Sequence, residues 1–111
     1  MQVLIEKELG AIPSITEMEV VDILVINKIP KKHVIFLKPN RAKGARTPDL
    51  LIDGEYWEIK SIEKLGKYTL DHAERAGLKQ ANNLVIDLRK LDEVLESKAI
   101  TKIEKDFRMT K

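Results

Sequence analysis

Hydrophobic and polar residues alternate most regularly on either side of Asp53-Gly54, and this alternation predicts a β-hairpin. Asp and Gly suit the centre of a type I′ turn, where both residues need a positive φ. This turn sets the register of the two strands, so that Asp49 is expected to face Glu58 on the same side of the sheet. One face of the hairpin is apolar and is predicted to be core. The apolar face carries Leu50, Ile52, Trp57 and Ile59, and the other face carries Asp49, Leu51, Tyr56, Glu58 and Lys60.

The pattern outside the hairpin predicts helices and strands in alternation. Ser14 and Glu17 have the spacing of a capping box, which would start a helix that ends near Asn27. Residues 20–26 are rich enough in β-branched side chains to form a strand instead, and periodicity leaves both readings open. The predicted elements are a short helix over 3–9, the capped helix, a strand over 33–37, the hairpin, a helix over 68–81, a strand over 84–88 and a helix over 91–109.

This order of elements predicts an α/β (α+β) fold. Its central part is a helix, a three-strand antiparallel meander, a helix, a strand and a helix, in one small domain over residues 1–111. A chain of 111 residues with 43% hydrophobic content can bury one such core. No stretch approaches the roughly 18 to 20 apolar residues of a membrane span, so we expect no membrane partner.

Composition and charge limit the kinds of site that the chain can build. The sequence has no cysteine, which excludes disulfides and thiolate metal sites. The net charge of +2 does not by itself indicate nucleic acid, so a nucleic-acid footprint has to come from local clusters of basic residues. Arg41, Lys43 and Arg46 form such a cluster shortly before Asp49, and we expect them to contact phosphate groups.

The charged face of the hairpin is the main candidate for chemistry. Two opposed carboxylates destabilise a strand pair by up to about 1 kcal/mol unless a positive charge compensates. Mg²⁺ is commonly held by one or two carboxylates with waters and phosphate oxygens, so Asp49 and Glu58 would suit it or Mn²⁺. Lys60 could position or deprotonate a water, or offset charge on a phosphate. In a chain that is 34% charged, the alternative is an ordinary solvated hairpin.

The same residues resemble the PD-(D/E)xK nuclease superfamily, whose core also runs helix, three-strand meander, helix, strand. Pro48-Asp49 resembles the PD of that motif, and Glu58-Ile59-Lys60 resembles the (D/E)xK. The resemblance implies that Asp49 and Glu58 are metal ligands, that the Ile59 carbonyl is a third ligand, and that Lys60 activates water. It also implies site roles for residues on the flanking helices, namely Gln80 and either Glu17 or Glu19.

A second resemblance covers about residues 46–110. Pro-Asp-Leu-Leu-Ile-Asp-Gly at 48–54, Trp-Glu-Ile-Lys-Ser at 57–61 and the helix end at 79–83 are similar to C-terminal nuclease domains of bacterial contact-dependent-inhibition and other polymorphic toxins. This resemblance implies a tRNase or DNase, neutralised by an immunity protein. It also implies delivery as part of a larger secreted toxin and action on RNA or DNA in the cytoplasm.

Two further functions stay open at this point. Some toxin domains of the barnase, EndoU, colicin and RelE group cleave RNA without metal, which here would require an acid and a base from among Glu58, Lys60, His72 and a loop arginine. His33 and His72, the two histidines, are otherwise expected at the surface. The other alternative is a non-catalytic nucleic-acid-binding module on a nuclease-like scaffold.

Overall fold

The computed structural model describes residues 2–39 and 47–108. Within those two ranges the chain forms three helices and one mixed sheet of five strands in the order β1-β2-β3-β4-β5, which confirms the α/β fold. The strands β2, β3 and β4 form the predicted antiparallel meander, whereas β1 runs parallel to β2 and β5 runs parallel to β4. The elements are β1 (Leu4–Lys7), α1 (Ile15–Ile26), β2 (His33–Phe36), β3 (Leu50–Ile52), β4 (Glu55–Ser61), α2 (Thr69–Gln80), β5 (Asn83–Asp87) and α3 (Glu93–Arg108).

The prediction of a short helix over residues 3–9 is wrong, because this segment contributes β1 to the sheet. The Leu4 N–H donates to the Lys32 carbonyl at 2.9 Å, and the Glu8 N–H donates to the Phe36 carbonyl at 2.8 Å. A helix of two turns is marginal in isolation, whereas pairing with β2 satisfies the backbone groups of an apolar, partly β-branched segment. Long-range pairing therefore decides the structure here.

Residues 20–26, for which the sequence allowed either a helix or a strand, belong to the helix α1. The Glu17 N–H donates to Ser14 Oγ at 3.1 Å and the Ser14 N–H donates to Glu17 Oε1 at 3.0 Å, which confirms the capping box. The helix covers one face of the sheet, and the apolar face of the hairpin packs beneath it. This core consists of Ala11, Val20, Val21, Leu24, Val34, Phe36, Leu50, Ile52 and Ile59, with Trp57 partly buried against it.

The helices α2 and α3 pack around a second core, whose buried members are Ile62, Leu70, Ala73, Leu91 and Ala99. A stripe of small residues at four-residue spacing, Ala73, Gly77 and the C-cap Ala81, is buried along α2. A Cβ atom at Gly77 would lie only 2.4 Å from Leu84 Cδ1, so glycine allows α2 to approach β5 closely. No helix in the described part of the chain is both long and apolar enough to cross a membrane.

The hairpin turn has the predicted geometry. Asp53 and Gly54 both have positive φ angles, 48° and 86°, and Leu50 pairs with Trp57 as expected. The Asp53 side chain has an additional structural role, because its carboxylate accepts hydrogen bonds from three consecutive N–H groups at the start of β2. These donors are the N–H groups of Lys31 at 2.6 Å, Lys32 at 2.9 Å and His33 at 2.9 Å.

Replacing Asp53 with alanine is expected to lower the Tm more than Asp53→Asn does, because asparagine keeps an acceptor and tolerates positive φ. The N–H groups of Lys31 and His33 lower the pKa of the Asp53 carboxyl. Asp53 therefore contributes stability above the ordinary carboxyl pKa, and this contribution is lost as the pH falls through the lowered value. Thermal unfolding between neutral and acidic pH tests this, and equal Tm values for both variants would contradict it.

Candidate active site

Asp49 lies at an irregular step of the hairpin. The regular pairing of β3 with β4 ends at Leu50 and Trp57, and the Asp49 N–H donates to the Trp57 carbonyl at 3.1 Å. Two consecutive residues thus share one partner, as in a β-bulge. The Asp49 carboxylate reaches across to β4, where Oδ2 accepts a hydrogen bond from the Ile59 N–H at 2.8 Å. The backbone of Asp49 therefore departs from the predicted direct pairing with Glu58.

The side chains of Asp49, Glu58 and Lys60 nevertheless come together. Glu58 pairs with Leu84 across the parallel strands β4 and β5, so both project from the face that α2 covers. The Glu58 carboxyl group lies within hydrogen-bonding reach of the Asp49 carboxylate. Lys60 Nζ lies 3.4 Å from Glu58 Oε2. Two carboxylates and one ammonium group therefore meet beside the bulge.

Burial controls the electrostatics of this cluster. Glu58 is only 4% exposed, whereas 29% of the Lys60 side chain is exposed. Desolvation and then the Asp49 carboxylate raise the pKa of Glu58 to about 7, and Lys60 offsets part of this rise. Near neutral pH the Glu58 carboxyl group therefore readily holds a proton, and a cation placed beside it would replace that proton.

One buried oxygen atom of Glu58 lacks a hydrogen-bond donor within the described ranges. Glu58 Oε1 is buried and accepts no hydrogen bond from a donor among the described residues, since its neighbour Asp49 is also a carboxylate and Lys60 contacts Oε2. A buried, ionised carboxylate oxygen without a donor is costly, and either a proton on Glu58 or a divalent cation held together with the Asp49 carboxylate would remove this cost. Mg²⁺ requires only one or two protein carboxylates, so the residues present fit such an ion.

Other predicted site residues lie in different settings. Glu17 lines a small cleft of about 110 Å³ together with Asp49, while its carboxylate also closes the capping box. Glu19 instead lies 3.5 Å from Arg89, so it does not join the cluster in this structure. Gln80 ends α2 and lines a shallow cleft on the surface of that helix. No hydrogen bond within the described ranges connects its side chain to Asp49.

The predicted phosphate-binding residues Arg41, Lys43 and Arg46 lie outside the described residues. His33 and His72 are both at the surface. His33 contacts Glu6, with Nε2 3.1 Å from Oε2, and His72 stacks on Tyr68, the N-cap residue of α2.

Sequence reasoning missed a buried polar network at the carboxyl ends of β4 and β5. Asp87 is 6% exposed and accepts two hydrogen bonds from the Arg89 guanidinium, at 2.9 and 3.0 Å, while Ser61 Oγ lies 3.4 Å away. The Arg89 guanidinium holds the pKa of Asp87 below its usual range. The network lies on the α1 face of the sheet, because Asp87 pairs with Ser61 two residues beyond Ile59. It therefore stabilises the opposite side of the sheet from Glu58.

A second acidic cluster connects α2 with α3. Asp71, Glu74 and Asp106 each place an oxygen within 4.8 Å of the others. Lys102 Nζ lies 2.8 Å from Asp71 and 2.7 Å from Asp106, so an ammonium group already supplies positive charge there. Burial and then Asp106 raise the pKa of Glu74 to about 7, which lets Glu74 hold a proton. The available sequence signals for this contact between helices were the i, i+3 spacing of Asp71 and Glu74 and the i, i+4 spacing of Lys102 and Asp106.

Comparison with known proteins gives one family. Residues 46–111, more than half of the chain, match the contact-dependent growth inhibition CdiA C-terminal domain, and this region includes the hairpin and the complete Asp49, Glu58 and Lys60 cluster. No curated protein and no solved structure gave a significant match. C-terminal toxin domains of CdiA are commonly nucleases and typically pair with immunity proteins. The chain belongs to the family of CdiA C-terminal toxin domains of contact-dependent growth inhibition.

Proposed function

We propose that this toxin domain is a metal-dependent nuclease that hydrolyses phosphodiester bonds of RNA or DNA. The observation that supports this most strongly is the meeting of Asp49, Glu58 and Lys60 beside a β-bulge, with a buried Glu58 oxygen that accepts no hydrogen bond from a donor among the described residues. Bulges often occur next to active sites, where they redirect side chains. The arrangement resembles the PD-(D/E)xK pattern, and we propose that the chain is a single small nuclease domain of that kind.

The residues of the cluster have distinct roles in this proposal. Asp49 and Glu58 would hold Mg²⁺ or Mn²⁺, with the Ile59 carbonyl as a third ligand. The ion would supply positive charge at the scissile phosphate and lower the pKa of a water. The Ile59 N–H fixes the Asp49 carboxylate, and the partly exposed Lys60 ammonium can orient a water or stabilise charge on the phosphate. We place this activity in the cytoplasm of a target cell, with an immunity protein as the neutralising partner.

A second candidate function is metal-free cleavage of RNA. Glu58 favours it, because a carboxyl group with a pKa of about 7 is suited to accept a proton from an RNA 2′-hydroxyl at neutral pH. Lys60 would then stabilise the negative charge on the phosphate. The two candidate functions differ in one measurable property, namely whether nucleic-acid cleavage persists in the presence of a metal chelator.

The test is incubation of the purified chain with labelled tRNA, plasmid and single-stranded DNA, in Mg²⁺, Mn²⁺ or EDTA. We expect cleavage of at least one substrate with metal and none in EDTA. Cleavage of RNA alone that persists in EDTA would favour the metal-free ribonuclease. Absence of cleavage of RNA and DNA under all conditions, with the folded state confirmed by circular dichroism, would contradict both.

The Lys60→Met substitution is expected to lower kcat by about 10²-fold or more while Mn²⁺ still binds, because it removes a water-orienting charge and leaves both carboxylates. Lys64→Met is the matched control, since Lys64 is exposed and lies outside the cluster. Single-turnover cleavage and a Mn²⁺ titration of both variants test this. Equal kcat values for the two variants would exclude a role of Lys60 in the reaction.

A further inference from the structure

The surface of α2 that faces away from the sheet differs in charge from the rest of the helix. The two carboxylates of α2, Asp71 and Glu74, belong to the cluster that faces α3, and Gly77 packs on β5. The outer surface carries His72, Arg75 and Lys79, all exposed, at the spacing of adjacent helical turns. They line a shallow, open cleft with Ala76 and Gln80. One side of α2 is therefore basic and free of carboxylates.

The cations of this surface are available to a ligand. Among the ion pairs of residues 2–39 and 47–108, none involves Arg75 or Lys79. On the side of α2 that faces α3, by contrast, the cation Lys102 is paired with two carboxylates. Unpaired guanidinium and ammonium groups one helical turn apart are suited to successive phosphates of a nucleic-acid backbone.

Aromatic rings continue this surface at the start of the helix. Tyr68 is 56% exposed, and its ring stacks on His72 with centroids 6.4 Å apart and planes inclined by 24°. Lys67 Nζ lies 5.4 Å from the centre of the Tyr68 ring. Exposed aromatic faces beside cations are the elements that bind single strands, where bases stack and phosphates follow a basic groove.

The surface lies on the same side of the sheet as the candidate active site. Leu78 and Gln80, which follow Gly77 by one and three positions, lie on opposite flanks of α2. Leu78 lines a cleft with Phe107 of α3, whereas Gln80 lines the basic cleft on the outer side of α2. Glu58 projects from β4 on this face of the sheet, beside Leu84. A strand bound along the basic surface would therefore lie on the outer side of α2, the helix that covers this face of the sheet.

We propose that Tyr68, His72, Arg75 and Lys79 form a binding surface for single-stranded nucleic acid, which delivers the strand to the Asp49, Glu58 and Lys60 cluster. Delivery to the cluster rests on the proposed nuclease function, whereas binding by the surface does not. The ligand chemistry is a phosphodiester backbone with unpaired bases, which RNA and DNA single strands share. The two stacked rings hold a base, and the two cations hold the phosphates on its 3′ or 5′ side.

The test is fluorescence anisotropy with labelled single-stranded RNA, single-stranded DNA and duplex DNA, in EDTA so that no metal-dependent cleavage occurs. We expect single strands to bind more tightly than the duplex. The Arg75→Gln/Lys79→Gln variant should weaken single-strand binding about tenfold and reduce the slope of log K against log salt by about 1.4, since each phosphate contact contributes about 0.7. Tyr68→Ala should weaken it about tenfold through lost stacking.

Lys98→Gln is the matched control, because Lys98 is an exposed lysine of α3 without an ion pair in the described ranges, and it should bind like the unmodified chain. Unchanged affinity and salt slope in the double variant would overturn the proposal. Duplex binding that exceeds single-strand binding and is insensitive to Tyr68→Ala would overturn it too.

Cleavage assays separate this proposal from the nuclease function. Loss of binding in the surface variants of a chain that cleaves no substrate would support the surface and contradict the nuclease. Cleavage by the unmodified chain with the same KM in the double variant would support the nuclease and contradict the surface. If both proposals hold, the double variant raises KM and leaves kcat unchanged.

Discussion

Cleavage is expected to fall at least about a hundredfold when Asp49 is replaced with asparagine, because stabilisation by a bound metal ion contributes several kcal/mol and each 1.36 kcal/mol changes a rate tenfold. Asparagine keeps the side-chain volume and an oxygen that can accept the Ile59 N–H, so the bulge should persist. The variant removes the negative charge beside Glu58. The measurement is the single-turnover rate of nucleic-acid cleavage in Mg²⁺.

The matched control for this variant is Glu55→Gln. Glu55 lies in the same hairpin and is exposed, and the change removes one carboxylate of the strand pair without touching the cluster. We expect its rate to equal that of the unmodified chain. A rate for Asp49→Asn that equals the Glu55→Gln rate would remove Asp49 from the active site.

The second large effect is on stability. Glu58→Gln should raise the Tm of the metal-free protein at pH 8 by several degrees and abolish the stabilisation that Mn²⁺ gives. Because the pKa of Glu58 is raised to about 7 from an ordinary value of 4.5, the folded state binds more protons than the unfolded state between these values. The stability from Glu58 is therefore fully present below about pH 4.5 and lost as the pH rises to about 7. Glutamine stays neutral and can donate to Asp49.

Thermal unfolding of the unmodified chain, Glu58→Gln and Glu55→Gln at pH 5 and pH 8, each with Mn²⁺ or EDTA, measures this effect. Without metal, the gain from Glu58→Gln over Glu55→Gln should be present at pH 8 and nearly absent at pH 5. A lower Tm for Glu58→Gln at pH 8 in EDTA would show that the ionised carboxylate stabilises the fold, which is the reverse of the expected sign. Glu74 titrates in the same range in all three proteins, so it cancels in the comparison.

Local sequence signals accounted for much of the fold. The Asp53-Gly54 turn and the capping box of Ser14 and Glu17 each depend on hydrogen bonds or φ angles within a few residues, so the sequence predicts them directly. The small-residue stripe of α2 also follows from helical spacing. The strand β1 did not follow, since its stability comes from pairing with β2, which is 25 or more residues away along the chain.

The candidate site, like the fold, was only partly predictable from local sequence signals. Alternation predicted that Glu58 and Lys60 share a face, and Asp49 does come close to them, although it reaches them from a bulge rather than through the predicted direct pairing with Glu58. The bulge was not predictable, since the hydrogen bond from Asp49 to Trp57 adds a residue to the strand pair without a glycine or other sequence marker. The depth of burial of Glu58 was not predictable either. It depends on α2 packing closely over β4 and β5, which Gly77 allows.

The most direct test of the proposed metal site is amide line broadening by Mn²⁺ in NMR spectra of the isotope-labelled chain at neutral pH. A paramagnetic ion broadens the signals of the nuclei nearest to it, so the affected amides locate the ion. We predict the strongest broadening at the amides of Asp49, Glu58 and Ile59, and its loss in Asp49→Asn. Broadening that centres on Asp71 and Asp106, or that shows no preferred location, would contradict a metal site at the hairpin.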